Sequence, residues 1–134
     1  MKLILKICAA SVLLITAIGP LSTTMLRAAT MDPRSVKKPE MTSALLAGKQ
    51  LYDAKCAECH GVNTVGTNKG PPFLHRVYHP GHHGDGAFFY AVRRGVKQHH
   101  WPFGNMPPVP GLTDEQIKSI IRYVRALQDA NGVF

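Results

Sequence analysis

Cysteine and acid are both scarce in this 134-residue chain. There are three cysteines, and none follows Cys59. Structural zinc wants four protein ligands, usually as two Cys or His pairs at similar spacing. Zinc here would have to recruit the six histidines that follow His60. Strand-like alternation is missing too, so a thioredoxin-like dithiol has no βαβ setting. A disulfide between Cys56 and Cys59 would close only a small strained ring. Acidic residues number eight against sixteen basic ones. Lys2, Lys6 and Arg27 precede residue 31, which leaves thirteen basic against eight acidic residues. A basic surface can meet nucleic acid, but an exported chain seldom does, so nucleic acid is set aside as a partner. No internal repeat or low-complexity tract is present.

What the chain does have is Cys56-Ala57-Glu58-Cys59-His60, a C-x-x-C-H motif. This is the spacing of covalent c-type haem attachment. Two thiols three residues apart reach the two vinyl groups on one porphyrin edge. The following histidine is placed to bind the iron from the proximal side. The motif therefore implies a covalent cofactor and redox work.

The N-terminus agrees with this reading. Lys2 and Lys6 precede an uncharged run from Ile7 to Leu26, the layout of a secretory leader. Haem c is attached outside the bacterial inner membrane, so export to the periplasm is expected. Ala17-Ile18-Gly19 and Ala28-Ala29-Thr30 are both candidate cleavage sites. The run is also long enough to anchor the chain in a membrane through residues 7–26, although Gly19-Pro20 interrupts it. Cys8 reads as an ordinary apolar residue of this leader. The expected layout is a signal peptide or anchor over 1–30, a linker over 31–41 and a monohaem domain over 42–134.

Within that domain, Leu45, Gly48, Tyr52 and Cys56 recur at helical steps. They predict a helix that begins near Thr42 and runs through the motif to Gly61. Residues 61–84 are rich in Gly and Pro and read as loop. Asp85 is a candidate cap for a middle helix with an apolar stripe of Phe89, Val92 and Val96. Residues 97–112 read as irregular. Thr113 and Gln116 form a capping-box pattern. Ile117, Ile120, Ile121, Val124 and Leu127 then give one buried face, closed by Asn131-Gly132.

A proximal histidine leaves one axial position on the iron. Met106 is the only methionine after the motif. Its loop, Gly104-Asn105-Met106-Pro107-Pro108, is stiffened by proline. A stiff loop suits a weak thioether ligand, and Met106 is the expected second axial group. Its other role would be to fill a gap in the core. His75, His79, His82, His83, His99 and His100 compete with it for the iron.

These residues resemble the class I cytochromes c over roughly residues 44–129. Cys56, Cys59 and His60 match the attachment motif. Gly48, Tyr52 and Tyr123 match the positions where the family's first and last helices cross. Gly70-Pro71-Pro72-Phe73-Leu74 looks like the loop whose proline carbonyl accepts the ligand histidine's Nδ1–H, and both Pro71 and Pro72 fit that role. Met106-Pro107 followed by Gly111-Leu112-Thr113 looks like the family's methionine loop. The resemblance implies an all-α small cytochrome c fold, three to four helices wrapped around one covalently bound haem. It also implies axial ligation by His60 and Met106.

The expected function is one-electron transfer between periplasmic or membrane redox partners, without catalysis of its own. Lys55, Lys69, Arg93, Arg94 and Lys97 are candidates for a basic rim that steers an acidic partner. Two rival readings stand beside it. One is catalysis or sensing at an iron whose sixth ligand is displaceable. The other is an added copper or divalent-metal site among the six histidines, which are unusual in number for so small a cytochrome. A subunit of a larger membrane oxidoreductase would keep the carrier chemistry.

Overall fold

In a computed structural model, residues 31–134 are described. The expected leader, its cleavage points, Cys8 and the run 7–26 lie outside the described residues. Among the described residues there are four α-helices, α1 (Ser43–Lys55), α2 (Ala57–His60), α3 (Asp85–Arg94) and α4 (Asp114–Ala130). Among the described residues there is no strand, only an isolated antiparallel bridge between Val96 and Met106. The fold is all-α, as expected. No helix among the described residues is long and apolar enough to cross a membrane.

Helix α1 starts because the Thr42 hydroxyl accepts from the Leu45 N–H at 3.3 Å. It packs chiefly on α4, with Gly48 at the crossing. A Cβ at Gly48 would stand 2.3 Å from the Ser119 carbonyl oxygen, so only a residue without Cβ permits this approach. One turn later the Tyr52 and Tyr123 rings meet at 5.5 Å. Both side chains are fully buried. In α4 the capping box is complete. Gln116 N–H donates to Thr113 Oγ1 at 3.2 Å, and Thr113 N–H donates to Gln116 Oε1 at 2.8 Å. Ile117, Ile120, Ile121, Val124 and Leu127 are all buried, the face that the periodicity predicts.

Three local expectations need correction. The first helix does not run unbroken to Gly61. It ends at Cys56, whose φ of −123° is not helical, and a separate turn, α2, carries His60. The Cys56 carbonyl then accepts from both Cys59 and His60, which sets the new direction of the chain. Asp85 does not cap α3. Gly84 is the N-cap, and the Asp85 carboxylate pairs with Arg125 Nε at 2.7 Å. Val96 does not extend the α3 stripe, because Gly95 ends the helix with φ +74°. A Cβ there would stand 2.4 Å from the Met106 carbonyl oxygen.

Residues 31–41, expected as a linker, carry a 3-10 turn over Pro33–Ser35 and a buried Val36. Lys37 exchanges backbone hydrogen bonds with the Asn131 side chain at 3.0 and 2.8 Å, and Asn63 Nδ2 donates to the Pro33 carbonyl at 3.2 Å. This stretch lies against the body of the domain.

Candidate haem site

An apolar cavity of about 340 Å³ lies between the motif, the loops and the inner faces of α3 and α4. Cys56, His60, Pro71 and Met106 all line it. Its apolar walls come from Phe73, Phe88, Val92, Ile120, Ile121 and Val124. Cys59 is exposed and is not part of the lining.

His60 is buried, and its Nδ1 stands 3.0 Å from the Pro71 carbonyl oxygen. A carbonyl only accepts, so the proton of the neutral ring sits on Nδ1 and Nε2 keeps its lone pair. Of the two prolines that the sequence offers, Pro71 makes this contact, and Pro72 is buried without it. The Phe73 ring stacks on His60 with centroids 4.2 Å apart. Burial holds His60 below the ordinary imidazole pKa, against the opposing effect of the Pro71 bond.

Met106 reaches the cavity through backbone pairing. Val96 and Met106 exchange two N–H···O bonds of 2.9 Å, and Val109 N–H donates to the Val92 carbonyl at 2.8 Å. The proline loop is thus clipped to the end of α3 on both sides of the prolines.

The donor set suits a haem on two observations. Burial, with a smaller contribution from Cys59, pushes the Cys56 thiol up to about 11. A thiolate is disfavoured there, whereas an uncharged thioether suits the site. Trp101 lines the same cavity, and its buried Nε1–H lies near the Tyr78 hydroxyl without making a well-formed hydrogen bond to any described residue. A donor so poorly satisfied at an apolar wall fits an acceptor such as a propionate.

The comparisons with known proteins agree. The cytochrome c family profile matches residues 45–128. The chain belongs to the cytochrome c family. It therefore carries a covalently bound haem c, and its chemistry is haem-based electron transfer. Two relatives are each named cytochrome bc1 complex cytochrome c subunit, one from Mycobacterium bovis and one from Mycobacterium tuberculosis. Each is 34% identical over 99 residues, covering 72% of this chain and 33% of the relative. This cytochrome thus spans about a third of the length of those relatives. No solved structure matches it.

The proposed basic rim divides in two. Lys69 pairs with Glu58 at 2.8 Å, and Arg93 pairs with Asp114 while also donating to the Leu112 carbonyl at 2.8 Å. Lys55 and Lys97 are exposed and make no salt bridge among the described residues, and Arg94 lies over the Tyr90 ring at 4.8 Å.

The histidines separate as well. His75 and His79 accept from backbone N–H groups inside tight turns. His82, His83 and His100 converge, with one ring nitrogen from each within 4.8 Å of the others. Partial desolvation lowers the pKa of His83, against the Val77 bond, and of the exposed His100, and neighbouring histidines add to the effect at both.

Sequence reasoning missed two residues that hold this side of the molecule. Arg125 donates to the carbonyls of Tyr78 (2.8 Å) and His83 (2.5 Å), to Asp85, and to Gln128 Oε1 at 2.6 Å. Gln128 Nε2 in turn donates to the Phe73 carbonyl at 2.7 Å. A buried Gln on an otherwise apolar helix face was the available signal.

Proposed function

We propose that this cytochrome is a one-electron carrier and not an enzyme. Cys56 and Cys59 would hold the haem through thioethers, and His60 Nε2 and Met106 Sδ would bind its iron. The observation that carries this reading is the placement of His60 and Met106 on one apolar cavity, with His60 Nδ1 committed to Pro71. The bound haem supplies a reversible one-electron couple at iron. The chain contributes the rest. Pro71 fixes the tautomer and ring direction of His60, so Nε2 stays available. The Val96–Met106 bridge holds the Met106 backbone in a rigid loop, which limits rearrangement between oxidation states. The apolar walls exclude water and, with the thioether, favour a higher reduction potential.

The proposed partners are redox proteins with an acidic docking face. The bc1-complex relatives support a membrane oxidoreductase as one such partner. Lys55, Arg94 and Lys97 are the cations offered for steering, because Lys69 and Arg93 already have acidic neighbours. The proposed location is the periplasm, either free or held at the inner membrane through residues 7–26.

The test is the optical spectrum of the oxidised holoprotein and of a Met106→Ala variant. The native protein should show the iron–thioether charge-transfer band. The variant should lose it and have a lower reduction potential while retaining covalent haem. A band that survives Met106→Ala would refute the ligand assignment.

A further inference from the structure

Four imidazoles crowd together, three of them (His83, His99 and His100) on the lining of the haem cavity, outside the ligand set proposed for the iron. His82 Nε2 lies 3.3 Å from His100 Nε2. The His83 and His100 rings are 5.1 Å apart, and His99 lies 4.3 Å from His100. Such crowding of like side chains needs a reason, since cationic imidazoles would repel one another.

The hydrogen bonds sort these histidines by what their lone pairs can do. A neutral imidazole has one N–H and one lone pair. His75 Nδ1 accepts from Val77 N–H and His79 Nδ1 accepts from Gly81 N–H, so those lone pairs are already used. His83 is the opposite case. Its Nδ1 stands 2.7 Å from the Val77 carbonyl, so Nδ1 donates and the Nε2 lone pair is free. His99 Nδ1 donates to the Lys97 carbonyl at 2.9 Å in the same way. A backbone carbonyl that fixes the tautomer of an imidazole is the usual support of a metal-binding histidine.

The spacing fits as well. Two nitrogens at about 2.0–2.1 Å from a tetrahedral ion stand about 3.3–3.4 Å apart. The His82–His100 distance already matches. His83 is anchored, because Arg125 holds its carbonyl at 2.5 Å. His82 and His100 are exposed and can close the remaining distance by side-chain rotation.

We propose that His82, His83 and His100 form a binding site for a divalent first-row transition cation beside the haem, with a fourth position left open. The donors are three neutral nitrogens with no carboxylate, which favours copper and zinc over magnesium and calcium. The site needs only the three histidines, so it stands apart from the assignment of Met106.

The experiment uses the full-length holoprotein without an affinity tag, titrated with Cu²⁺ and, separately, with Zn²⁺. One equivalent per haem should bind, and the bound Cu²⁺ should show nitrogen hyperfine coupling by electron paramagnetic resonance. Loss of groups that merely orient metal ligands weakens binding on the order of 10- to 100-fold. Loss of a ligand should cost at least that much, so His83→Ala and the double variant His82→Ala/His100→Ala should each bind at least tenfold more weakly. The double variant His75→Ala/His79→Ala should bind as the native protein does. All variants should keep the native haem spectrum. Stoichiometric binding that is unchanged without His82, His83 and His100 would overturn the proposal. So would its absence from the native protein, or a change in iron ligation when His100 is removed.

Discussion

At the α1–α4 crossing, Gly48 rests against the Ser119 backbone and Tyr52 packs on Tyr123. Ile117 and Leu127 on α4 are fully buried as well. These four side chains, Tyr52, Tyr123, Ile117 and Leu127, are covered by protein alone. Between Gly61 and Leu112 the chain is arranged differently. It has one regular helix, α3, and is held by separate tethers, namely Pro71 to His60, Val96 to Met106, and Arg125 to Tyr78, His83 and Asp85. Phe73, Phe88, Val92, Trp101 and Met106 from this region line the cavity. One region is completed by its own atoms, and the other is shaped to be completed by the cofactor. Small domains bury too little surface to be stable with a gap of this kind, so the two regions should respond differently to the same perturbation.

Withholding the haem should separate them most. Cys56→Ala/Cys59→Ala, produced without covalent haem, should lose amide-exchange protection throughout residues 61–112. Any protection that remains should lie in α1 and α4. Equal protection in both regions would show that the tethers suffice without the cofactor.

Gly48→Val attacks the other region. Its Cβ would collide with backbone rather than with a flexible side chain, and overpacking of this kind costs about 3 kcal/mol. Denaturant unfolding of the holoprotein should show that loss with covalent haem still in place. A variant as stable as the native protein would mean that the crossing can open without penalty.

Arg125→Ala tests the tethers. The side chain is only 13% exposed and serves two carbonyls, one carboxylate and one amide. Leaving these partners unsatisfied should cost about 2 kcal/mol. Exchange should accelerate first at Tyr78–Asp85, with α1 little affected. Arg125→Lys should not rescue the loss, because a single ammonium cannot reproduce the planar fork.

The two regions also differed in how far they could be read from residues alone. The crossing was legible because helical packing is periodic. The face from Ile117 to Leu127 and the capping box at Thr113 and Gln116 depend on neighbours three or four positions away. The same periodicity put Gly48 and Tyr52 on one helix face, and their role at the crossing came from the family resemblance, whose glycine implies a close approach. The break at Cys56 was not legible, since nothing in its neighbours opposes helix and the turn is set by how its carbonyl is shared. Asp85 looked like a cap because local rules cannot anticipate a partner forty residues away. The choice between Pro71 and Pro72 and the convergence of His82, His83 and His100 depend on loop geometry, which leaves no period in the sequence.

The smallest expected effect lies where the two regions meet. Tyr52 Oη donates to the Gly61 carbonyl at 2.9 Å, joining the crossing to the first residue of the cofactor side. Tyr123 Oη is buried with no partner among the described residues. Near neutral pH, Tyr52→Phe should cost about 1–2 kcal/mol, because it leaves a carbonyl unpaired. Tyr123→Phe should be neutral or slightly stabilising, because it removes a buried hydroxyl that gains nothing. At high pH Tyr123 acts through its proton instead. Burial, reinforced by Asp53, pushes its pKa up to about 12, above the ordinary value of about 10. Below about pH 10 both folded and unfolded chains keep the proton. As pH rises from about 10 to 12 the unfolded chain releases it first, so stability falls. Tyr123→Phe should make that fall shallower when the denaturant midpoint is followed from neutral to about pH 11. A decline as steep as in the native protein would mean that the buried Tyr123 hydroxyl is not what destabilises the crossing in alkali.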